Sequence, residues 1–417
     1  MTDVARNLRV VIIGAGIVGA SLADELTLRG VADVLVVDKG PFPRFGGSTT
    51  HAPGMVFQLH QVPVMSQMAQ YTVSLLGGLV DADGASLWTE TGSLELADDD
   101  EWCETLRRRY DHGVEAGLAM QVLTPDQCAQ LQPLLDPGAF RMGIYNPTDG
   151  VTRSVEVVKR RLAAAESRGA HLLADTEVIG VVREGSRVRA VQTNRGDFEA
   201  DVVVICGGLW GGPLAALAGE YLPVVPFIAP GAHTPPLATL AGSTADARGP
   251  IVRFADSALT WRERGETVEF GYSRHEATPV DPYDLLSNEE APIMPSMRDF
   301  SPRYVDDGWP RMQRLVPDTR GLDYERGQHG LMSTTPDYLP IIGPSSVTDG
   351  LWFGQSIWVT HSAGAAAALA EWIVDGESST FDASAVDARR FQGREPGELR
   401  DSAIESIDFF ALQRKTI

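Results

Sequence analysis

Three glycines near the amino terminus have the spacing of a dinucleotide-binding turn. Gly14, Gly16 and Gly19 form a GxGxxG pattern directly after the apolar run of residues 10–13. The first glycine allows a tight turn, the second lets the backbone approach a pyrophosphate, and the third lets a helix pack closely on a strand. Amide groups at the start of that helix favour phosphate. The pattern predicts a dinucleotide site, and it does not distinguish FAD from NAD.

An acidic residue at the expected distance supports this interpretation. Asp38 ends a second apolar run, residues 34–37, and follows Gly19 by 19 residues. A carboxylate at this position binds ribose hydroxyls and repels a 2′-phosphate, which disfavours NADP. The sequence therefore predicts a strand, helix, strand unit, with its helix over residues 17–29 and Gly30 as the cap.

A second glycine-rich segment carries a histidine. Residues 46–58 read GGSTTHAPGMVFQ, and His51 lies near their centre. This segment closely resembles the flavin-attachment segment of the dimethylglycine and sarcosine dehydrogenase/oxidase family, in which the histidine is bonded to the 8α-methyl group of the FAD isoalloxazine ring. The resemblance implies FAD as the cofactor, bonded covalently through His51. The alternative is a loop histidine that only forms hydrogen bonds.

Three later segments resemble the same family in the same order. Residues 205–211 resemble the return strand beside the cofactor, residues 335–343 the segment that approaches the ring, and residues 357–364 the loop that closes the site. The resemblance extends from residue 8 to about 390. Carried over position by position, and together with the three glycines of the turn, it implies these FAD contacts: Ile17, Val18, Asp38, Lys39, Ser48, Thr49, Thr50, His51, Met55, Val178, Gly208, Trp210, Ile357, Trp358, Val359 and Thr360.

The resemblance also implies a fold class. We expect an α/β protein with an α+β substrate part, in which a Rossmann-type FAD-binding domain is interleaved with a substrate domain built on an antiparallel sheet, as in D-amino-acid oxidase. Length agrees, because 417 residues suggest two or three domains at roughly 150 residues each. The predicted division is an FAD-binding domain at residues 1–60, 150–220 and 330–380, a substrate domain at 61–149 and 221–329, and a C-terminal arm at 381–417.

Local patterns predict further elements. Residues 55–76 are rich in Met and Gln and read as a helix, and Ser154 reads as the N-cap of another helix. Residues 177–193 read as two strands of a β-meander, and residues 399–412 as a helix of the C-terminal arm. Between residues 223 and 279, aromatic and charged residues alternate, which predicts a sheet with one face either lining a cavity or half-solvated.

The family reaction defines what the substrate side must do. A flavin removes hydride from a carbon beside an amine nitrogen, whose lone pair stabilises the resulting iminium. The amine must be unprotonated, and for a lysine-like pKa of about 10.4 this costs about 4–5 kcal/mol at pH 7. A base or desolvation must therefore remove the proton. The iminium then hydrolyses, so an N-methyl substrate gives formaldehyde and the demethylated amine.

The family's catalytic pair is altered in this chain. Relatives carry a histidine, and two residues later a tyrosine, on a strand of the substrate domain. Aligned without a gap, these positions hold Ala229 and Gly231, whereas a short insertion brings His233 into register. His233 is the predicted base, with a surface-loop histidine as the alternative. A second family tyrosine falls on Ser273, or on Tyr272 with a shift of one residue; Tyr272 is the second predicted catalytic residue, with a core aromatic as the alternative.

The substrate domain offers several groups for recognition. A carboxylate on the substrate needs a cationic partner, and arginine binds carboxylates through two parallel hydrogen bonds. Trp261 is either part of an aromatic wall for a methylated amine or a core residue. The candidate arginines are Arg253, Arg262, Arg264, Arg274 and Arg298.

Composition and charge exclude several classes of partner. The chain is 43% hydrophobic with a formal net charge of -21, which predicts a soluble protein that binds neither nucleic acid nor anionic membrane. The apolar run at residues 8–13 is too short to span a membrane, and no signal-peptide pattern precedes it. Cys103, Cys128 and Cys206 fit neither a disulfide framework nor a zinc site. We expect a cytoplasmic enzyme without a metal.

The expected partners are a small amine and an electron acceptor, either O2 or an electron-transfer flavoprotein. Several relatives continue into a folate-binding domain, whereas this sequence ends at Ile417, either as a natural single unit or as part of a longer protein; in both cases free formaldehyde is the expected product. Alternative functions are oxidation of another amine without demethylation, a flavin-binding subunit of a larger complex, and an NAD-binding regulator.

Overall fold

Short β-branched runs form a sheet that is buried on both faces. The computed structural model describes residues 7–42 and 46–407, and within them this sheet has six strands. Numbered along the chain, they are β1 (Arg9–Ile13), β2 (Asp33–Val37), β9 (His171–Leu173), β13 (Val202–Ile205), β20 (Ile341–Pro344) and β21 (Leu351–Gln355). The spatial order is β20, β21, β13, β1, β2, β9, and β20 is antiparallel to β21 while the other pairs are parallel.

Helices cover one face of this sheet. Ile12 and Val36 point to this side and pack with Leu22 and Leu26 in one apolar cluster. Because a parallel sheet needs both faces covered, such strands read as continuous apolar runs. The helices that contribute to the cluster are α1 (Ile17–Leu28), α2 (Pro63–Leu76), α5 (Ser154–Ser167) and α8 (Ser362–Asp375).

A three-stranded meander and the C-terminal residues cover the opposite face. Val11 and Ile13 point to this side and pack in a cluster with Val191 and Leu399. The strands of the meander are β10 (Val178–Glu184), β11 (Arg187–Thr193) and β12 (Gly196–Glu199), and the covering helix is α9 (Pro396–Glu405). The predicted β-meander is confirmed, with a third strand that was not predicted.

The second large sheet is almost entirely antiparallel. Within the described residues it has nine strands, in the order β18, β19, β14, β17, β16, β15, β5, β7, β6, and only the β15–β5 pair is parallel. Their bounds are β5 (Ser93–Ala97), β6 (Gln121–Leu123), β7 (Met142–Asn146), β14 (Val225–His233), β15 (Ile251–Phe254), β16 (Leu259–Arg264), β17 (Thr267–Tyr272), β18 (Met297–Arg298) and β19 (Arg326–Thr334). The predicted fold class is confirmed.

The remaining elements surround these sheets. A small antiparallel sheet joins the two halves of the molecule. It consists of β3 (Met55–Val56), β8 (Gly150–Thr152) and β4 (Trp88–Glu90). The other helices are α3 (Asp100–Glu115), α4 (Pro125–Leu131), α6 (Gly211–Ala216) and α7 (Trp309–Leu315). Within the described part of the chain, no helix is long and apolar enough to cross a bilayer.

Three local predictions need correction. The helix predicted over residues 55–76 is wrong at its start, because residues 55–56 pair as β3 and α2 begins at Pro63, where proline fits the first helical turn. Ser154 is the first residue of α5 and not its cap, and its hydroxyl has no partner among the described residues. The helix predicted over 399–412 is observed from Pro396 to Glu405, and residues 408–412 lie outside the described chain.

The predicted division into domains differs from the sheets at two places. The boundary at residue 330 falls inside β19, all of which belongs to the nine-stranded sheet. Helix α2 was assigned to the substrate domain, whereas its residues Val64 and Met68 pack in the cluster beside the parallel sheet. Both differences have one cause, since chain crossings between interleaved domains carry no composition signal.

The contact between α2 and α8 generates a stability prediction. A Cβ at Gly364 would lie 2.4 Å from the Met68 Cα and 2.5 Å from its carbonyl oxygen. Gly364→Ala must therefore push two helices apart, and we expect it to lower the free energy of unfolding by about 1–3 kcal/mol. Urea unfolding of the two proteins measures this difference. Gly397→Ala is the matched control, because nothing lies within 4 Å of its Cβ; equal stabilities of the two variants would contradict the packing.

Candidate active site

One cavity of about 930 Å³ runs between the two large sheets. Its volume is at the upper end of the range of ligand pockets, about 300–1,000 Å³. Gly14, Gly16 and Asp38 line one end, and residues of β14, β16 and β17 line the other. The cavity therefore joins the predicted nucleotide turn to the predicted substrate sheet.

The glycine turn has the close approaches that its sequence predicts. Gly14 has a φ of +106°, and a Cβ there would lie 2.5 Å from the Cys206 carbonyl oxygen. A Cβ at Gly19 would lie 1.9 Å from the Gly14 oxygen, so this residue packs α1 on the turn and does not line the cavity. Gly16 is the N-cap of α1. These glycines form a cradle that side chains would fill, which fits a pyrophosphate.

Asp38 holds the turn from the end of β2. Its Oδ2 accepts a hydrogen bond from the Ala15 amide at 2.8 Å, and its Oδ1 accepts one from the Gly40 amide at 2.7 Å. Burial raises the pKa of this carboxyl group, and the two amide bonds oppose that shift. The carboxylate lines the cavity. Its role in ribose binding stays a prediction.

Hydrogen bonds connect the segment before His51 to the start of α1 and to β19. The Thr49 Oγ1 accepts a hydrogen bond from the Ile17 amide at 3.2 Å, which connects the segment to the start of α1. The Ser48 hydroxyl donates to the Leu331 carbonyl at 2.7 Å, which connects it to β19. Thr50 faces away from the cavity and contacts Gly47 and the Met294 sulfur instead.

The His51 imidazole lies on a glycine of β19. A Cβ at Gly330 would be 2.3 Å from the ring atoms Cε1 and Nδ1, so only glycine allows this contact. The ring lines the cavity, and its buried Nε2 has no hydrogen-bond partner among the described residues. Burial lowers the pKa of His51 to about 4. At neutral pH the His51 imidazole is therefore uncharged, and its buried Nε2 is left for a ligand.

Most other predicted cofactor residues also line this cavity. Gly19 and Thr50 are the exceptions among the predicted set. The Lys39 ammonium lies 4.1 Å from the centre of the Trp210 ring, and Thr360 donates to the Met55 carbonyl at 3.4 Å. The lining residues brought together as predicted are Gly14, Gly16, Ile17, Val18, Asp38, Lys39, Ser48, Thr49, His51, Met55, Val178, Gly208, Trp210, Ile357, Trp358, Val359 and Thr360.

The floor of the substrate end is a row of small residues across the nine-stranded sheet. Gly231 of β14 lies opposite Gly271 of β17, which lies opposite Thr260 of β16. A Cβ at either glycine would lie no closer than 3.5 Å to an atom of the neighbouring strands, so the space above them belongs to the cavity. Ala229 also lines this floor. Ala229 and Gly231, which hold the family's catalytic positions in the gapless alignment, therefore both lie on this floor.

His233 does not reach the cavity. It ends β14, two residues beyond Gly231, is buried, and does not belong to the lining. Its cross-strand neighbour is Glu269, which does line the cavity. The prediction of His233 as a base in direct contact with substrate is thus corrected, because the strand carries it past the floor. Tyr272 does line the cavity, and its ring also packs in the core against Gly308.

Among the five predicted arginines, Arg253 lines the cavity and the others do not. It lies directly across from Glu95 in the parallel β15–β5 pair, and its Nη1 is 3.2 Å from the Glu95 Oε1. Arg109 binds both oxygens of Glu95 at 2.8 and 2.9 Å and also lines the cavity. Trp261 is fully buried away from the cavity, so the core alternative is correct for it.

Sequence reasoning missed several polar residues of the wall. His361 precedes α8, is 3% exposed, and neither ring nitrogen has a partner among the described residues. Tyr338 has a φ of +63°, a strained conformation for a residue with a side chain, and packs edge-on against Trp358. His361 directly follows the predicted contacts 357–360, so position in that loop was the signal that could have identified it.

The buried imidazole of His361 generates a pH prediction. Burial lowers its pKa from 6.5 to about 3, so the unfolded chain binds a proton between these values that the folded chain does not. The free energy of unfolding therefore decreases as the pH falls below 6.5, because protonation of His361 then favours the unfolded chain. Between pH 6 and 4 the wild type should lose about 1.4 kcal/mol more per pH unit than His361→Gln. Urea unfolding at pH 6, 5 and 4 measures this, and parallel curves for the two proteins would contradict it.

Comparison with known proteins gives consistent results for sequence and fold. A family model described as FAD dependent oxidoreductase matches residues 9–372. The chain is 26% identical over 393 residues to 4-methylaminobutanoate oxidase (formaldehyde-forming) of Paenarthrobacter nicotinovorans, covering 93% of this chain and 46% of that protein. It is 24% identical over 389 residues to mitochondrial dimethylglycine dehydrogenase of Homo sapiens, covering 91% and 44%. The chain thus spans less than half the length of these relatives.

A solved structure supports the fold. The crystal structure of L-proline dehydrogenase from P. horikoshii matches with a TM-score of 0.79 and 23% identity, over 95% of this chain and all of that one. At this identity the likeness shows the fold alone. The predicted resemblance to the dimethylglycine and sarcosine enzymes is confirmed by the sequence matches.

Proposed function

Because the chain belongs to the FAD dependent oxidoreductase family, we propose that it oxidises a small secondary or tertiary amine, of the N-methyl amino acid class, with release of formaldehyde. One observation carries the proposal. A single cavity contains the nucleotide turn, the buried unpartnered nitrogen of His51 and the open floor at Gly231 and Gly271. When bound, FAD supplies an acceptor for a hydride from the carbon beside the amine nitrogen.

The residues of the cavity fit this cofactor. Gly14, Gly16 and the first amides of α1 would hold the pyrophosphate, and Asp38 the ribose. His51 would hold the ring covalently. Its neutral imidazole has a buried nitrogen without a partner, and a lone pair there can form a bond to carbon. Forming that bond removes one hydrogen from the imidazole and one from the 8α-methyl group, with two electrons passing to an oxidant such as O2.

Covalent attachment is tested by denaturation. After acid precipitation, the flavin of the wild type should stay with the protein pellet, and the peptide containing His51 should be heavier by one FAD. His51→Ala should release its flavin, since no other residue is proposed to bond it. The matched control is His275→Ala, another histidine of the cavity wall, which should keep the flavin. A wild-type pellet without flavin would rule the bond out.

The charges of the substrate end support an amine that carries a carboxylate. Two guanidinium groups, Arg253 and Arg109, contact the one carboxylate of Glu95. The buried Asp149 acts on Arg253 from further away, and its own oxygens bind Gln58, Ser93 and Asn146. Arg253 lines the cavity and shares the Glu95 carboxylate with Arg109, so its guanidinium could bind a substrate carboxylate in a buried place.

The walls also favour a methylated, uncharged amine. Phe57 lies under the Arg253 guanidinium at 4.1 Å, and Tyr338 and Trp358 continue this aromatic surface. Such walls exclude water, so the amine loses its proton more easily than in solution. Tyr272 is proposed to contact the substrate from β17.

Anaerobic mixing tests the reaction itself. The wild-type flavin should be bleached by N-methylglycine, N,N-dimethylglycine or 4-(methylamino)butanoate, and one formaldehyde should form per flavin reduced. N-methylamines of the same size but without a carboxylate should reduce the flavin at least about tenfold more slowly, because they lack the group that Arg253 is proposed to bind. Admission of air then distinguishes the acceptors, since an oxidase re-oxidises with hydrogen peroxide and a dehydrogenase needs an electron-transfer flavoprotein.

Two outcomes would favour other functions. Bleaching without formaldehyde would mean oxidation of an amine without demethylation. Flavin that no amine bleaches would favour a flavin-binding subunit of a larger complex, for which the absence of the family's histidine–tyrosine pair at Ala229 and Gly231 is the supporting observation.

A further inference from the structure

A carboxylate lies beside the open floor of the substrate end. Four acidic residues belong to the lining of the cavity: Asp38, Glu177, Glu269 and Asp337. Asp38 holds the nucleotide turn and Glu177 precedes β10, whereas Asp337 is paired with Arg390. Glu269 is the member of this group on the nine-stranded sheet. Its side chain is 9% exposed, so it is nearly withdrawn from solvent.

The register of β17 places Glu269 next to the floor. It is two residues from Gly271, on the same face of the strand, since alternate residues point the same way. Two residues of a strand span about 7 Å. Gly271 and the facing Gly231 leave space above the sheet, and the Gln328 side chain of β19 lies at the edge of this space, 4.0 Å from a Cβ at Gly231. A small molecule on these glycines would therefore have the Glu269 carboxylate as a neighbour.

The partners of Glu269 leave its charge available. Its Oε2 accepts a hydrogen bond from the Arg264 Nε at 2.8 Å, and Oε1 has no hydrogen-bond partner among the described residues. Arg264 is 42% exposed, so water screens its charge more than that of the buried carboxylate. Burial lowers the pKa of His51, and the negative charge of Glu269 opposes that shift, so the carboxylate acts on the region where His51 lies.

The proposed reaction creates positive charge at this place. A neutral amine that loses hydride from its methyl carbon gives up two electrons and one proton to the acceptor. The nitrogen lone pair becomes the second bond of the C=N group, and the amine group changes from neutral to a positively charged iminium. A fixed carboxylate in a site without water stabilises such charge more strongly in the transition state than in the uncharged reactant.

We propose that Glu269 is a catalytic residue whose carboxylate faces the substrate nitrogen and stabilises the developing iminium. This inference rests on the proposed function. Glu269 transfers no proton in this step, and water later adds to the iminium carbon. His233 is the buried cross-strand neighbour of Glu269.

Rapid anaerobic mixing of the flavin-loaded protein with N,N-dimethylglycine tests this role. Glu269→Gln keeps the shape of the side chain and removes its charge. Its limiting rate of flavin reduction should fall about 100-fold, with little change in the substrate dissociation constant. Glu269→Asp keeps the charge, so its limiting rate should be at least about tenfold higher than that of Glu269→Gln. If the glutamine variant does not fold, the rate of Glu269→Asp is compared with that of the wild type.

Arg264→Gln is the matched control. It breaks the same ion pair from the other side and leaves the carboxylate in place, so its limiting rate should stay within about threefold of wild type. An equal loss in Arg264→Gln would assign the effect to the ion pair and overturn the proposal, as would a Glu269→Gln rate equal to wild type. A wild-type flavin that amines do not bleach would instead overturn the proposed function, so the two failures are distinct.

Discussion

The contact between the His51 ring and Gly330 connects the two halves of the cavity. His51 belongs to the segment that follows β2 of the six-stranded sheet, and Gly330 belongs to β19 of the nine-stranded sheet. An alanine at position 330 would place a Cβ 2.3 Å from the ring, so the imidazole would have to leave. The Ser48 bond to Leu331 holds the same two segments together. The direction of the His51 Nε2, which has no hydrogen-bond partner among the described residues, therefore depends on a residue nearly three hundred positions away.

Residues of opposite charge lie at different places along the floor of the nine-stranded sheet. Arg253 lies at one end of the glycine floor, held by Glu95 through a cross-strand pair, and Glu269 lies beside the floor on β17. An amine with a carboxylate can place each of its ends near the opposite charge. Burial makes both contacts stronger than they would be at the surface. The floor thus provides space, and the charged residues around it provide orientation.

The sequence predicted what is local. The glycine turn and the meander depend on residues that are near each other in the chain, whereas the segment around His51 was predicted from its family resemblance. The choice of Arg253 over four other arginines depends on its pairing with Glu95, 158 residues away, which no local pattern contains. His233 was placed in the site because an insertion was assumed, whereas β14 extends regularly to His233 and carries it past the floor. Glu269 was missed because its place beside the floor depends on the pairing of β17 with β14, whereas His361 could have been identified from its position after residues 357–360.

The central claim is that a flavin ring occupies the cavity and is bonded to the imidazole that rests on Gly330. A crystal structure of the flavin-loaded protein tests it most directly. We predict continuous density from the His51 Nε2 to the 8α carbon of the ring, with the pyrophosphate at Gly14 and Gly16. Density that ends at an imidazole turned away from the ring, or a dinucleotide bound elsewhere, would contradict this account.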